Sequence, residues 1–171
     1  MRSGWMARYI EQSQDAHLAA QATSLAQRWL NDRSSVPPGS RSLVLRSAAF
    51  DGDRAYFDAL VAAVVGNPNR RERADIYAAL GSFRSPELAQ AARALWLSPD
   101  HDLREIMNAS RSRGRTEALR DGVFAFMTEH FDAISAKLPK ESVIGFPRMF
   151  QGACSAKEAQ QLERFFTPLT K

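Results

Sequence analysis

The sequence predicts an all-α fold, and three observations support this prediction. The helix formers Ala, Leu, Arg, Glu and Gln are abundant, while β-branched residues are sparse and seldom alternate with polar ones. From about Ala16 onward, apolar residues recur with helical spacing in periods of about 10 to 15 residues. Hydrophobic residues make up 44% of the chain and charged residues 25%. This is an ordinary globular composition, so global disorder is excluded.

The clearest predicted helix begins after Ser85. A serine at the N-cap, Pro86 at the first helical position and Glu87 in the first turn together favour a helix start. A stripe at i, i+3, i+4 and i+7 follows, and a tryptophan widens it: Leu88, Ala91, Ala92, Leu95 and Trp96. Such a stripe predicts one buried face.

Other stripes predict further helices before and after this one. Ser155 and Glu158 match a capping box, which places the start of a final helix. The stripes are Phe57, Leu60, Val61, Val64 and Val65; Ile76, Tyr77 and Leu80, ending at Gly81; and Ala159, Leu162, Phe165 and Phe166.

The breaks between these helices are short, and Pro or Gly marks most of them. Because short amphipathic helices need neighbours to cover their apolar faces, we expect an irregular α-solenoid of antiparallel helical hairpins. This would be a superhelix resembling armadillo or HEAT repeats, without a repeat consensus. We expect a poorly ordered N-terminal lead-in over 1–15 and one helical-repeat domain over 16–171.

No motif in the sequence predicts catalysis. A zinc peptidase needs His-Glu-x-x-His, and none of His17, His101 and His130 begins that motif. We interpret these as isolated surface or half-buried histidines. The adjacent pairs His101-Asp102 and Glu129-His130 form no dyad, since neighbours on a helix point in different directions, and we expect solvent-facing or capping roles. No metal or cofactor is assigned to this chain.

The single cysteine, Cys154, excludes an internal disulfide and is interpreted as a small packing residue. Glycines fall singly at turns, so no phosphate-binding loop is predicted. No segment approaches the roughly 20 apolar residues that span a bilayer, and residues 1–8 lack a signal-like apolar region. We expect a cytoplasmic protein without a membrane partner.

The net charge is +4 and the pI is near 9.6, so nucleic acid or an acidic partner has to be considered. Basic residues mostly alternate with acidic ones. Only the cluster of Arg111, Arg113 and Arg115 is locally uncompensated. This arginine cluster is interpreted either as part of a solvated loop or as a binding patch. No nucleic-acid partner is expected, because the aromatic residues lie in apolar stripes.

A family resemblance emerges over 24–166, mainly from the order and spacing of several short motifs. Toward the C-terminus the motifs are a helical stretch from Arg120 to Ile134, a Leu138-Pro139 turn, a turn from Phe150 to Cys154, and Phe165-Phe166. The earlier motifs are Leu25 to Leu30, Ala48 to Leu60 and Ala79 to Gly81. The pattern is similar to the C-terminal helical domain of zinc aminopeptidases of the alanyl and puromycin-sensitive type. Phe124 replaces the usual tryptophan and His130 the usual asparagine.

The resemblance implies that the chain is not itself an enzyme. Its parent would be a zinc aminopeptidase, with the zinc held in a catalytic domain that is absent here, and the chain would be a fragment trimmed at both ends. In this family the helical domain caps the active-site cleft and limits peptide access. The expected partners are the parent's catalytic domain and peptide substrates, with Arg111, Arg113 and Arg115 as candidate substrate-binding residues. The alternative is a stand-alone helical-repeat scaffold that binds protein or nucleic acid.

Overall fold

A computed structural model describes residues 15–109, 117–150 and 155–170. Within these ranges the chain is all helical and has no strand, so the predicted all-α fold is confirmed. The helices form two compact units, residues 1–114 and 115–171, which are described separately below. The solenoid arrangement and the limits of the lead-in and the domain remain predictions. No helix in the described ranges combines the length and the apolar character needed to span a bilayer.

The first unit contains six described helices, which begin and end at residues that suit helix termini. Asp15, Asp53 and Asn69 cap three of them through side-chain oxygens that accept backbone N–H groups. Proline occupies the first turn of two others. The helices are α1 (Ala16–Asn31), α2 (Pro38–Phe50), α3 (Arg54–Val64), α4 (Arg70–Leu80), α5 (Pro86–Ala94) and α6 (Leu103–Ala109).

Helix α4 is central to the first unit because it packs against α2, α3 and α6, while α1 packs against α2 and α3. The five largest fully buried side chains of this unit come from four helices and one turn: Trp29, Leu45, Leu60, Ile76 and Phe83. Ring contacts from Tyr56 and Phe57 hold Phe83, with centroid distances of 6.1 and 5.3 Å. The turn before α5 is thereby fixed to α3.

The predicted helix starts and stripes of this unit are largely confirmed. Helix α5 begins at Pro86 with the Ser85 hydroxyl accepting from the Leu88 N–H, and α4 ends at Leu80 with Gly81 as its C-cap. Three positions differ. Leu95 and Trp96 were expected within the helix that starts at Pro86, but α5 ends at Ala94. Val65 was expected to share the buried face of α3, but it lies beyond the helix end and is 51% exposed.

The second unit contains four described α-helices and two 3₁₀ segments. These are α7 (Glu117–Glu129), α8 (Phe131–Ala136), α9 (Lys140–Ile144), the 3₁₀ segment Phe146–Phe150, α10 (Ala156–Phe166) and the 3₁₀ segment Thr167–Thr170. The predicted capping box is present at α10, where the Ser155 hydroxyl and the Glu158 carboxylate each bond the other residue's backbone N–H.

A cluster of phenylalanine rings holds the second unit together. Phe124 packs edge-on against Phe150 and Phe165, at centroid distances of 5.4 and 6.1 Å. Phe131 packs in the same way against Phe146 and Phe165, at 6.0 and 5.2 Å. The cluster joins α7, α8, the first 3₁₀ segment and α10. A phenylalanine at position 124 therefore fills a packing role, as the resemblance implied.

The stripe predicted for the final helix is buried less than expected. In α10, Leu162, Phe165 and Phe166 are half-buried and Ala159 is exposed, whereas Glu158 is buried through its capping contacts. The expectation that Ala159 faces the core is wrong, because the ring contacts of Phe165 and Phe166 define the covered side of the helix.

Candidate functional site

Helix α4 carries the largest concentration of paired charges in the first unit. Its Asn69 N-cap accepts from the Arg71 and Glu72 N–H groups, which fixes the first turn. From there, polar side chains point in two directions at helical spacing. Glu72 and Asp75 reach toward α2, while Arg73 and Tyr77 reach toward α6 and the turn before it.

The α2 side of this cluster is a buried ion pair. Arg41 is 3% exposed; its Nε donates to the Asp75 carboxylate at 2.7 Å and its Nη1 to Glu72 at 3.3 Å. The guanidinium carbon lies 5.6 Å from the centre of the Trp29 ring, and that of Arg33 lies 4.0 Å from the same ring. One arginine thus connects α1, α2 and α4 through charge-assisted hydrogen bonds and a cation–π contact.

The α6 side is a bidentate pair. The Nε and Nη2 groups of Arg73 donate to the two carboxylate oxygens of Glu105, each at 2.7 Å, and Nη1 donates to the Asn67 carbonyl at 2.7 Å. The hydrogen bonds from Arg73 lower the pKa of the Glu105 carboxyl, and the same pairing raises the pKa of the Arg73 guanidinium. Both groups are therefore charged around neutral pH.

A buried hydrogen bond between Tyr77 and His101 lies next to this pair. The Tyr77 hydroxyl is 3.1 Å from Nδ1 of His101, and the rings meet edge-on at 5.9 Å. Burial raises the pKa of Tyr77 to about 12, so the phenol keeps its proton at neutral pH. The expectation that His101 faces solvent is wrong: the residue is 7% exposed, because Tyr77 supplies a partner that offsets its burial.

The other predicted polar positions are separate from this cluster. His17 is exposed on α1 and contacts Gln21, while His130 is half-buried and stacks edge-on with Phe126 at 4.5 Å. Asp102 bonds the Arg104 N–H at 2.8 Å, which is the expected capping role. In the described ranges, no three His, Cys, Asp or Glu residues come together as a possible metal site.

The ion pairs and hydrogen bonds around α4 hold the neighbouring helices in position, which is a structural role. The carboxylates of Asp75 and Glu105 are each engaged by a guanidinium. Sequence reasoning missed Arg41 and Glu105. Their partners are 31 to 34 residues away, and only the helical spacing of Arg70, Arg73 and Tyr77 along one side of α4 gave any signal.

The candidate substrate-binding residues Arg111, Arg113 and Arg115 lie outside the described residues, as do Cys154 and the predicted lead-in apart from Asp15. No geometry is assigned to them.

Comparison with known protein families gives one result. The model of the ERAP1-like C-terminal domain matches residues 1–171. No curated protein and no solved structure matches the chain. The match agrees with the aminopeptidase resemblance, which was based chiefly on the order of motifs between positions 24 and 166. Because it extends over both units, the chain belongs to the ERAP1-like C-terminal domain family of aminopeptidase C-terminal domains.

Proposed function

We propose that the chain is the non-catalytic C-terminal domain of a zinc-dependent aminopeptidase, where it covers the active-site cleft and limits which peptides reach it. The observation that carries this proposal is the family match over residues 1–171. The all-helical fold of the described residues agrees with the helical domain that the resemblance implies. The zinc would belong to the parent's catalytic domain.

The paired charges around α4 give such a cover the stiffness it needs. A domain that selects peptides by size has to keep its shape when a peptide presses against it. Arg41 connects three helices and Arg73 connects two more elements, with 2.7 Å hydrogen bonds to carboxylates in both cases. These pairs hold α2, α4 and α6 at fixed spacing.

The test is to add this chain to the separately produced zinc domain and to follow cleavage of alanyl amides and of peptides of increasing length. A cover that limits access changes the ratio of kcat/KM between long peptides and amides. An unchanged ratio, with binding of the two proteins shown separately, would contradict the proposal. Salt-sensitive binding of the chain to duplex DNA would instead support the scaffold alternative.

The candidate arginines can be tested in the same assay. We propose that Arg111, Arg113 and Arg115 meet the carboxylate at the end of a bound peptide, so replacing all three with alanine should raise KM for long peptides several-fold. Amide substrates, which lack that carboxylate, should be unaffected. A matched control that also removes three positive charges replaces the exposed residues Arg28, Arg71 and Lys157. Equal effects of the two triple variants would refute a specific role.

A further inference from the structure

Helix α6 is the shortest described helix of the first unit, with seven residues. A helix of this length is marginal on its own in water, so it depends on the surface against which it packs. Among the described helices, its main neighbour is α4. Its buried residues are Leu103 and Ile106, whereas the 13-residue α2 buries six of its residues. The apolar part of the attachment of α6 is therefore small.

Polar contacts with α4 form the other part of this attachment. Arg73 donates to both carboxylate oxygens of Glu105 at 2.7 Å. The side chains of this pair are 24% and 16% exposed, whereas that of Arg41, on the α2 side of α4, is 4% exposed. Because water reaches the Arg73–Glu105 pair, its hydrogen bonds can be replaced by bonds to water when α6 moves away. The α6 side of α4 therefore opens more easily than the α2 side.

We propose that α6 is a detachable helix, which unfolds and leaves α4 while the rest of the first unit stays folded. The Arg73–Glu105 pair sets how often this happens. Undocking and unfolding of α6 are one event, because so short a helix does not persist without its neighbour. Elements with few buried apolar contacts are the ones that open locally. Since α6 is the last described helix of the first unit, its release frees the chain there without breaking the core. The proposal does not depend on the aminopeptidase assignment.

Native-state hydrogen exchange of the full 171-residue chain tests this by comparing two matched amides. Ile106 in α6 and Phe57 in α3 are each the fourth residue of a helix and 3% exposed. Each N–H donates at 3.1 Å to the carbonyl of the aspartate before its helix, Asp102 or Asp53. After correction for intrinsic rates, we expect Ile106 to exchange at least about tenfold faster and to respond far less to urea below the unfolding transition. An Ile106 amide that exchanges no faster than that of Phe57, or with the same urea dependence, overturns the proposal.

A pair of variants tests the role of the ion pair in the same experiment. Glu105→Gln keeps the size of the side chain and removes its charge, so exchange at Ile106 should become about tenfold faster. Glu87→Gln is the matched control. Glu87 also lies in the first turn of its helix, but it is 81% exposed and 3.9 Å from its arginine, so exchange at Ile106 should not change. Equal effects of the two variants would overturn the proposal.

A third variant separates local opening from unfolding of the whole unit. Arg41→Met weakens the α2 side of α4, where Arg41 bonds Asp75 at 2.7 Å, and leaves the contacts of α6 in place. Exchange at Phe57 should become faster, because it requires the unit to unfold, while exchange at Ile106 should stay the same. If both amides accelerate by the same factor, α6 opens only together with the rest of the unit, and the proposal is wrong.

Discussion

Replacing Arg41 with methionine tests whether the buried ion pair holds α1, α2 and α4 together. Methionine is an unbranched apolar side chain of similar length, and it removes the guanidinium together with its cation–π contact to Trp29. Asp75 and Glu72 then lose the bonds of 2.7 and 3.3 Å that Arg41 makes to them. The two carboxylates remain where their side chains are only 15% and 14% exposed.

The size of the effect follows from this geometry. Removing one partner of a fully buried ion pair costs about 3–5 kcal/mol, because the other charge is left uncompensated. Here the carboxylates keep some access to water, and Asn67 and Asn69 still donate to Glu72. We therefore expect a loss of about 2–3 kcal/mol in the free energy of unfolding.

The assay is urea unfolding followed by tryptophan fluorescence, which reports on the first unit through the buried Trp29 and Trp96. Arg54→Met is the matched control. Arg54 also donates to an aspartate, at 3.0 Å, and its guanidinium carbon also lies 5.6 Å from a ring centre, that of Phe57. It differs in being 60% exposed, so its loss should cost only about 0.3–0.5 kcal/mol. Equal losses for the two variants would refute the reasoning from burial.

Two further predictions concern the first unit. Gly52→Ala should cost about 1–3 kcal/mol in unfolding free energy, because the new Cβ would lie 2.9 Å from the Ala48 carbonyl oxygen. The control Gly39→Ala, whose new Cβ meets nothing within 4 Å, should be neutral or slightly stabilising. A Gly39→Ala variant less stable than Gly52→Ala would contradict this prediction. Arg73 lowers the pKa of Glu105 in the folded chain. The pair's contribution to the free energy of unfolding is therefore complete at neutral pH. It is lost as the pH falls from about 4.3, the ordinary pKa of glutamate, through the lower pKa of the folded state. The difference in urea midpoint between wild type and Glu105→Gln should therefore shrink in acid, and a pH-independent difference would count against the ion pair.

Local features of the fold were predictable from the sequence because their causes are local. The starts of α5 and α10 depend on residues within three positions of each other, namely Ser85 with Leu88 and Ser155 with Glu158. The aromatic positions that carried the resemblance also come together, as Phe124, Phe150 and Phe165 show.

The polar contacts around α4 were not predictable because they join distant parts of the chain. His101 stands between two aspartates in sequence, which suggests solvent, yet Tyr77, 24 residues earlier, gives it a buried partner.

The central claim is that this chain works as part of a zinc aminopeptidase, and mass spectrometry of the protein isolated from its own cells tests it most directly. An antibody against residues 15–109 would recover the polypeptide that contains this sequence, together with anything bound to it. The account predicts peptides that include a His-Glu-x-x-His motif, either in the same polypeptide or in a stoichiometric partner. Recovery of a lone 19.0 kDa protein without such a partner would contradict it.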